Sequence, residues 1–444
     1  MVKVRLEALN ILCTLFRGEM IFLDSLYSAR IKVRGYSAAD RSLLVHLIRG
    51  VVKYKSSLEK AAYTYLSKWN HLPKKVQIIL LLGLFQLAFD TRTPAYAIVH
   101  ETVELARLSS SAYWVKLLNA VLRRASEERD RWQIEATNWE IDLPAWLEDE
   151  WLRLIGSDDL KRLKKSLTQP PRLFLRVNTL KTTPQELSDL FTRQYFFLVE
   201  FSPILSELLV TDADYSQLTQ IPEFQKGLFS IQDLGSQMMV HLFSPAPGEK
   251  IVDIGCGSGG KTAMMAQMMK NKGRIYAVDI HLQKIQTMTS LINRQGINIV
   301  QPVVADATQS LPSELFGADR VFVDAPCSGW GTLRRNPEIL LNRRESDLKT
   351  FADQQLQLLL KSSALLKKGG MILYCVCTIT PEETFGVVNA FESFSKNEWQ
   401  KILPGESMFS HAVNHLIVTE GRHYLIWPYY FYSDGFFGVA WRKV

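Results

Sequence analysis

Two cysteines and an aspartate follow neighbouring predicted strands in the second half of the chain. Asp324 and Cys327 lie in the segment Asp-Ala-Pro-Cys-Ser-Gly, directly after the apolar run 321–323, and Cys377 follows the predicted strand Met371–Cys375. In an open parallel sheet, ligands bind beyond the carboxyl ends of the strands, so these three side chains are expected at one rim. A thiolate is a strong nucleophile, and a carboxyl group can transfer a proton. The spacing therefore predicts covalent catalysis by a cysteine with Asp324 as its acid.

This combination of groups suits methylation at carbon 5 of cytosine. That carbon is a poor nucleophile until a thiolate adds to carbon 6 and converts the ring to an enamine. Asp324 in its protonated form is suited to donating to the ring nitrogen beside the amino group, and the second thiol is a candidate for assisting release of the first. An enzyme acting on the exocyclic amino group would tend to carry Asn/Asp-Pro-Pro-aromatic after the fourth strand. The residues alone leave open whether Cys327 or Cys377 attacks.

A glycine-rich loop joins the predicted strand Lys250–Ile254 to the predicted helix Lys261–Met269. Glycines let a backbone approach a ligand closely, and a helix N-terminus favours negative charge. The predicted cofactor-binding residues of the loop are Gly255, Cys256, Gly257, Ser258, Gly259, Gly260 and Lys261. Asp279 and Asp306 end the next two strands, where carboxylates suit ribose hydroxyls and an adenine amino group. The loop lacks the G-x-G-x-x-G spacing of nicotinamide sites, so an adenosyl cofactor is expected.

Alternating strands and helices from about residue 223 predict a mainly parallel, Rossmann-like sheet in this α/β part of the chain. The predicted strands are Lys250–Ile254, Arg274–Val278, Val300–Val304, Arg320–Val323 and Met371–Cys375, with helices including Lys261–Met269 and Leu348–Leu366. Two extended segments, His423–Tyr429 and Phe436–Trp441, predict a hairpin on the sheet edge. Residues 172–222 mix short strands with a helix starting at Thr183-Pro184, which predicts a small α+β insert.

Residues 1–126 carry apolar side chains at helical spacing, with new helices beginning at Pro73 and Pro94, and predict an all-α bundle. The expected domains are therefore 1–126, 127–222 and 223–444. Residues 1–130 hold 20 Lys/Arg and 11 Asp/Glu, whereas the remaining residues hold 32 and 34. A basic module beside a near-neutral one indicates that the first contacts a polyanion. The predicted RNA-binding residues are Arg123, Arg124, Arg334 and Arg335.

The composition excludes several classes of protein. The 444 residues are 47% hydrophobic and 22% charged, which is typical of a soluble globular protein. Five cysteines do not form a disulfide framework, and the C-x-C at Cys375 lacks a second ligand pair, so no metal site is predicted. Cys256 and Cys375 are interpreted as small buried hydrophobes. Charged residues interrupt the apolar stretch near Met1, so no signal peptide is expected, and the apolar run 76–89 is too short to span a bilayer. A cytoplasmic protein is therefore expected.

Several segments carry a resemblance that covers nearly the whole chain. The catalytic part resembles the Nop2/Sun family of RNA cytosine-5 methyltransferases in segments 175–181, 232–237, 324–329, 334–337 and 434–437, which read LRVNTLK, QDLGSQ, DAPCSG, RRNP and DGFF. The first 126 residues resemble the NusB RNA-binding fold in segments 97–105 and 119–124, AIVHETVEL and NAVLRR. This fusion is similar to the bacterial Sun/Fmu/RsmB branch, which methylates a cytosine in 16S ribosomal RNA.

The resemblance implies S-adenosylmethionine as cofactor, Cys377 as the attacking residue and Cys327 as the residue aiding product release. It also places the loop 255–261, Asp279, Asp306 and Asp324 at cofactor-binding positions. The expected partner is 16S rRNA, free or in an early assembly intermediate, met by a monomer away from any membrane. Two departures stand out: the family loop usually reads Asp-x-Cys-Ala-Ala-Pro-Gly-Gly-Lys, and a Thr usually stands where Val376 does. The alternatives are a tRNA cytosine-5 methyltransferase and a catalytically weak ribosome-assembly factor.

Overall fold

Among the residues that the structure describes, helices make up the first part of the chain and the first strand begins at Leu173. The computed structural model describes residues 2–17, 35–394, 398–402 and 423–444. The chain forms two compact units. The first comprises residues 1–169 together with 333–343, and the second comprises 170–332 together with 344–444.

The first unit is helical, as the apolar spacing predicts. Its helices are Val2–Leu15, Ala38–Lys53, Lys55–Tyr65, Lys74–Phe89, Ala95–Ser109, Ala112–Glu127, Arg129–Ala136, Ala145–Thr168 and Ile339–Asn342. Helix Lys74–Phe89 is buried on all sides because its residues are almost continuously apolar, and it forms the centre of the bundle. Pro73 and Pro94 immediately precede their helices, as predicted. None of the helices within the described ranges has the length and apolarity needed to cross a lipid bilayer.

This unit continues beyond residue 126, where the sequence analysis places its boundary. Trp132 and Ala136 belong to the same apolar core as the preceding helices. The following helix, Ala145–Thr168, is interrupted at Gly156, whose φ of 76° lies in the left-handed region. The late segment 333–343 also belongs here, since Leu341 packs against the core of the bundle. The predicted limits 127–222 and 223–444 remain predictions.

The second unit begins with a small antiparallel sheet. Its strands are β1 (Leu173–Val177), β2 (Val199–Phe201), β3 (Leu208–Thr211) and β4 (Phe229–Ile231), in the order β2-β3-β1-β4. The short helices between them are Pro184–Leu190, Tyr215–Gln220 and Pro222–Gln225. Thr183 caps the first of these in a capping box with Glu186, which confirms the predicted start.

A large sheet forms the rest of this unit. Its strands are β5 (Lys250–Ile254), β6 (Arg274–Asp279), β7 (Val300–Val304), β8 (Ala318–Asp324), β9 (Leu366–Val376), β10 (Trp399–Ile402), β11 (Tyr424–Ile426) and β12 (Phe436–Lys443). Their order is β10-β12-β9-β8-β5-β6-β7, with β11 also paired to β12. Strands β5 to β9 are mutually parallel and match the predicted ones closely. The accompanying helices are Leu234–Phe243, Gly260–Met268, Leu282–Gln295, Glu345–Ser363, Val387–Phe394 and Pro428–Phe431. The predicted Rossmann-like architecture is therefore confirmed.

The C-terminal hairpin is placed differently from the prediction. Strands β11 and β12 do pair antiparallel, but β12 lies between β9 and β10 and is not an edge strand. The physical reason is that β12 is buried on both faces from Phe436 to Trp441, as expected of an internal strand. Strand β10 is only partly buried, with Gln400 exposed, and the sequence analysis predicts no strand there.

Candidate active site

The carboxyl ends of β8 and β9 bring Cys327 and Cys377 together. The two strands are parallel neighbours, with Asp324 opposite Cys375, so the loops that follow them leave the sheet side by side. The Sγ atoms of Cys327 and Cys377 lie 3.2 Å apart, within reach of an S–H···S hydrogen bond. Both side chains are partly exposed, as a substrate-facing thiol must be. The arrangement at one rim is the one that the sequence predicts.

Lys261 and Asp324 form an ion pair beside the thiols. Lys261 lies in the first turn of helix Gly260–Met268, and its Nζ is 2.7 Å from Asp324 Oδ2. The other carboxylate oxygen is 3.7 Å from the Sγ of Cys375. Burial alone would lower the pKa of Lys261, but the charge of Asp324 raises it. The charges of Cys375 and Cys377 add smaller upward shifts. The pair therefore favours the ammonium form of Lys261, which lies directly against the carboxyl group that the sequence predicts as a proton donor.

The glycine-rich loop runs tightly along the switch point between β5 and β8. Gly255 has φ of 77°, and a Cβ there would overlap the carbonyl oxygen of Asp324. Gly259 has φ of 85°, and a Cβ there would overlap the side chain of Met288. At Gly257 the nearest atom to such a Cβ is 3.9 Å away, so that side of the loop is open. The backbone can therefore approach a ligand closely at this point.

Two of the predicted cofactor acids end β6 and follow β7. Asp279 is buried, and its carboxylate accepts hydrogen bonds from the N–H of Gly257 at 3.0 Å and of His281 at 2.8 Å. Asp306 accepts from the N–H and hydroxyl of Thr308, and these bonds lower the pKa of its carboxyl group. Each carboxyl oxygen retains a further lone pair for a ligand hydroxyl or amino group. Both acids are therefore oriented by neighbouring residues.

The sequence analysis does not single out Ile280, although its side chain is suited to contact a nucleoside. Ile280 follows Asp279 directly and is 56% exposed, so it offers an apolar surface beside the acid. An exposed isoleucine next to a buried aspartate carries no distinct signal in a single sequence, because isolated exposed apolar residues are common.

Cys256 and Cys375 are both buried, as expected for small apolar side chains, and burial raises the pKa of each thiol.

A buried carboxylate network behind the thiols was also missed. Glu383 is fully buried and accepts hydrogen bonds from the backbone N–H of Ser328 at 2.8 Å and from Gln355 Nε2 at 2.9 Å, both to Oε1. Its Oε2 accepts from the hydroxyls of Ser328 and Thr380, the latter at 3.0 Å. In the sequence, Glu382 and Glu383 follow Pro381 and resemble ordinary acidic residues of a first helical turn. Only the tertiary structure reveals their environment.

The four arginines predicted to contact RNA have different environments. Arg123 and Arg124 are exposed on helix Ala112–Glu127, and the guanidinium of Arg124 lies 5.7 Å from the ring centre of Tyr65. Arg335 is partly buried. Arg334 is only 2% exposed, so its prediction as a surface RNA contact is wrong. A run of arginines indicates charge, but it does not show which side chain points outward.

The chain matches two family models. The model described as 16S rRNA methyltransferase RsmB/F matches residues 240–442. The model of the NusB family matches residues 3–127. The first match includes the glycine-rich loop and both thiols, and the second covers most of the helical unit.

Curated relatives align along the whole chain. A probable ribosomal RNA small subunit methyltransferase B of Bacillus subtilis is 30% identical over 99% of each protein. Its counterpart from Synechocystis is 28% identical over 100% of each. Among solved structures, PH0851 superposes with a TM-score of 0.77 at 23% identity, covering 98% of this chain and 97% of that one. The structure of NSun6 from Pyrococcus horikoshii with SFG has a TM-score of 0.57 at 21% identity, covering 68% and 98%. At these identities the solved structures support the fold.

Proposed function

Because the chain belongs to the ribosomal RNA small subunit methyltransferase B family, we propose that it methylates carbon 5 of a cytosine in 16S rRNA through a covalent adduct with Cys377. The observation that carries this proposal is the pair of thiols 3.2 Å apart at the sheet rim, next to the ion pair of Lys261 and Asp324. A thiol pair at this position suits attack on a ring carbon followed by release, and methylation of an amino group needs neither step.

The loop and its acids fit S-adenosylmethionine. Gly255 packs tightly against the end of β8, and Gly257 has open space beside it. The backbone of the loop is therefore accessible at the edge of the sheet where a nucleoside cofactor would bind. Asp279 would hold the ribose hydroxyls, Asp306 the adenine amino group, and Ile280 would pack on the base. The bound cofactor would supply an electrophilic methyl group on a sulfonium. The Ala-Ala-Pro of related loops is absent here, but the glycine geometry does not depend on those residues.

Cys377 and Asp324 would share the first step. The thiolate of Cys377 forms a bond to carbon 6 of the cytosine, and the displaced ring electrons take up a proton at the ring nitrogen next to the amino group. The Lys261–Asp324 pair, held at 2.7 Å, lies where it can deliver that proton. The Lys261 ammonium would give a proton to the Asp324 carboxylate, which passes it to the ring nitrogen and leaves Lys261 as the neutral amine. Carbon 5 then has the electron density that it needs to accept the methyl group.

Cys327 would act in release. Once carbon 5 carries the methyl group, it gives its proton to a water molecule and the double bond between carbons 5 and 6 re-forms. The bond from carbon 6 to the Cys377 sulfur then breaks, and the ring nitrogen returns its proton to the Lys261–Asp324 pair. The Cys327 S–H, 3.2 Å away, can donate to that departing thiolate. To reach a ring carbon at all, the target cytosine must be unpaired or flipped out of its helix.

Bisulfite mapping of ribosomal RNA tests the proposal. Cells lacking this protein should lose one 5-methylcytosine in 16S rRNA, and purified protein with S-adenosylmethionine should restore it on RNA from those cells. Loss of the modification from tRNA instead would move the target to tRNA. Normal modification of both RNAs, together with no saturable cofactor binding by calorimetry, would favour an assembly factor without catalysis.

Cofactor affinity should depend on Asp279. In Asp279→Asn, the carboxylate that would face the ribose loses its charge, so we expect S-adenosylmethionine binding to weaken by about 10- to 100-fold, the usual loss for a charge-assisted hydrogen bond. Isothermal titration calorimetry measures this directly. The matched control is Asp319→Asn at the other end of β8, where the carboxylate bonds Lys250 and Lys367. Equal losses in both variants would contradict the role assigned to Asp279.

A further inference from the structure

Glu383 is surrounded by hydrogen-bond donors. Two of its four partners, the Ser328 N–H and the Gln355 amide, can only donate. The other two are hydroxyls, so all the acceptor sites of an ionised carboxylate are in use. Burial raises the pKa of Glu383, but the bonds from Ser328, Gln355 and Thr380 oppose that shift. This donor set is the one that a buried carboxylate anion requires.

The same carboxylate connects the loops that carry the two thiols. Ser328 follows Cys327, and Thr378 follows Cys377. The hydroxyls of Ser328 and Thr378 lie 3.1 Å apart, and the hydroxyls of Thr378 and Thr380 lie 3.3 Å apart. Glu383 therefore bonds to one loop directly and to the other through Thr380. Its position helps to define the separation of the two sulfurs.

The charges around the two thiols differ in sign. Cys327 faces Cys377 and Glu383; hydrogen bonding to Cys377 and burial raise its pKa well above the usual range, and the charge of Glu383 adds to the shift. The ammonium of Lys261 interacts with Cys375 and Cys377, next to Asp324. Two further titratable groups lie near the thiols. They are the phenol of Tyr374 and the thiol of Cys375, and burial raises the pKa of each well above its usual range. The Glu383 carboxylate is therefore bonded to the residue next to Cys327, whereas the Lys261–Asp324 pair contacts Cys375, two residues before Cys377.

We propose that Glu383 is a positioning residue whose negative charge keeps the proton on Cys327 and so makes Cys377 the attacking thiolate. This inference rests on the proposed function for its consequence, because it explains which thiol attacks and which donates. With its proton retained, Cys327 donates to the sulfur of Cys377 in the free enzyme and again when the adduct breaks.

Alkylation of the free protein tests the charge effect without RNA or cofactor. Iodoacetamide reacts with thiolates, so peptide mapping over a range of pH gives the reactivity of each cysteine. In the wild-type protein we expect Cys377 to react at least about tenfold faster than Cys327 near neutral pH. In Glu383→Gln, which keeps the size of the side chain and removes its charge, Cys327 should react about tenfold faster than in the wild type.

Gln355→Leu is the matched control. It removes one hydrogen bond to the same carboxylate oxygen, together with the bonds of Gln355 to the Pro326 carbonyl and the Tyr374 hydroxyl, and leaves the charge in place. A purely structural role for Glu383 would make the two variants behave alike, raising the reactivity of both thiols together. An unchanged ratio of Cys327 to Cys377 alkylation in folded Glu383→Gln would overturn the proposal. Faster alkylation of Cys327 than of Cys377 in the wild-type protein would also overturn the proposal.

Methyl transfer separates this inference from the proposed function. If Glu383→Gln shows the expected shift in alkylation but the wild type methylates no cytosine, the proposed function fails and the charge effect stands. If the wild type is active and the alkylation ratio does not respond to Glu383, only the inference fails. When both hold, Glu383→Gln should lower kcat by about 10- to 100-fold with KM little changed, because release loses its proton donor.

Discussion

The Cys377→Ala variant will lose methyl transfer to 16S rRNA by roughly 10⁴-fold or more, the size of loss seen when a covalent nucleophile is removed. Alanine cannot add to carbon 6, so carbon 5 never becomes nucleophilic. Binding of S-adenosylmethionine should persist, because no hydrogen bond within the described residues joins this thiol to the glycines of the loop or to Asp279. Transfer of labelled methyl groups to RNA measures the first effect, and calorimetry measures the second.

Cys327→Ala should behave differently although its sulfur lies only 3.2 Å from that of Cys377. Attack and methyl transfer remain possible, but release loses its donor, so turnover should fall by about 10²- to 10⁴-fold. A protein–RNA adduct that survives denaturing electrophoresis should accumulate. Cys13→Ala, a partly exposed cysteine of the helical unit, is the control and should turn over normally. Normal turnover by Cys377→Ala would contradict the assignment of Cys377 as the attacking thiol and Cys327 as the thiol that acts in release.

Gly255→Ala should be the most damaging substitution in the glycine-rich loop. A left-handed φ costs alanine about 1–2 kcal/mol, and the added Cβ would overlap the carbonyl oxygen of Asp324. Together with about 1–3 kcal/mol for overpacking, we expect the free energy of unfolding to fall by about 2–5 kcal/mol. Because the displaced residue is Asp324, affinity for S-adenosylmethionine should also fall by at least about tenfold.

Gly369→Ala is the control for that experiment. Gly369 has the same φ of 77° in β9, but a Cβ there would meet nothing within 4 Å. It lies near the start of the strand, whereas Cys377 follows its end. We expect only the conformational cost of about 1–2 kcal/mol and unchanged cofactor binding. Chemical denaturation and calorimetry of the two variants separate backbone strain from the steric overlap, and equal effects in both would rule out the overlap as the cause.

Most of the sheet was predictable because strands β5, β6, β8 and β9 are largely buried on both faces, although β7 is partly exposed. Strand β5 and strand β7 have the predicted limits, and β6, β8 and β9 extend beyond theirs by one or more residues. Such strands form continuous apolar runs, which stand out in a sequence. Strand β10 could not be found in this way, since it is short, partly exposed and pairs with a strand more than 30 residues further on. Its identity depends on a long-range pairing and not on local propensity.

The site was predictable where the topology determines it. Residues at the ends of adjacent parallel strands must meet, so Cys327, Cys377 and Asp324 could be placed together before any coordinates. The ion pair that Asp324 makes with Lys261 depends on the orientation of a helix, and the contacts of Glu383 depend on the path of two loops. Burial of Arg334 likewise depends on tertiary packing. Local sequence contains none of these distances.

The order of the two units along the chain has a consequence for biosynthesis. Residues 333–343 complete the helical unit, yet a ribosome makes them more than 160 residues after Gln169. At about 5–20 residues per second, that delay lasts roughly 8–35 s. During that time the nascent bundle lacks its last helix, Ile339–Asn342, while strands β1 to β8 are already emerging. The helical unit therefore cannot finish folding first, and a fragment ending at Gln169 would permanently lack the segment that covers part of its core.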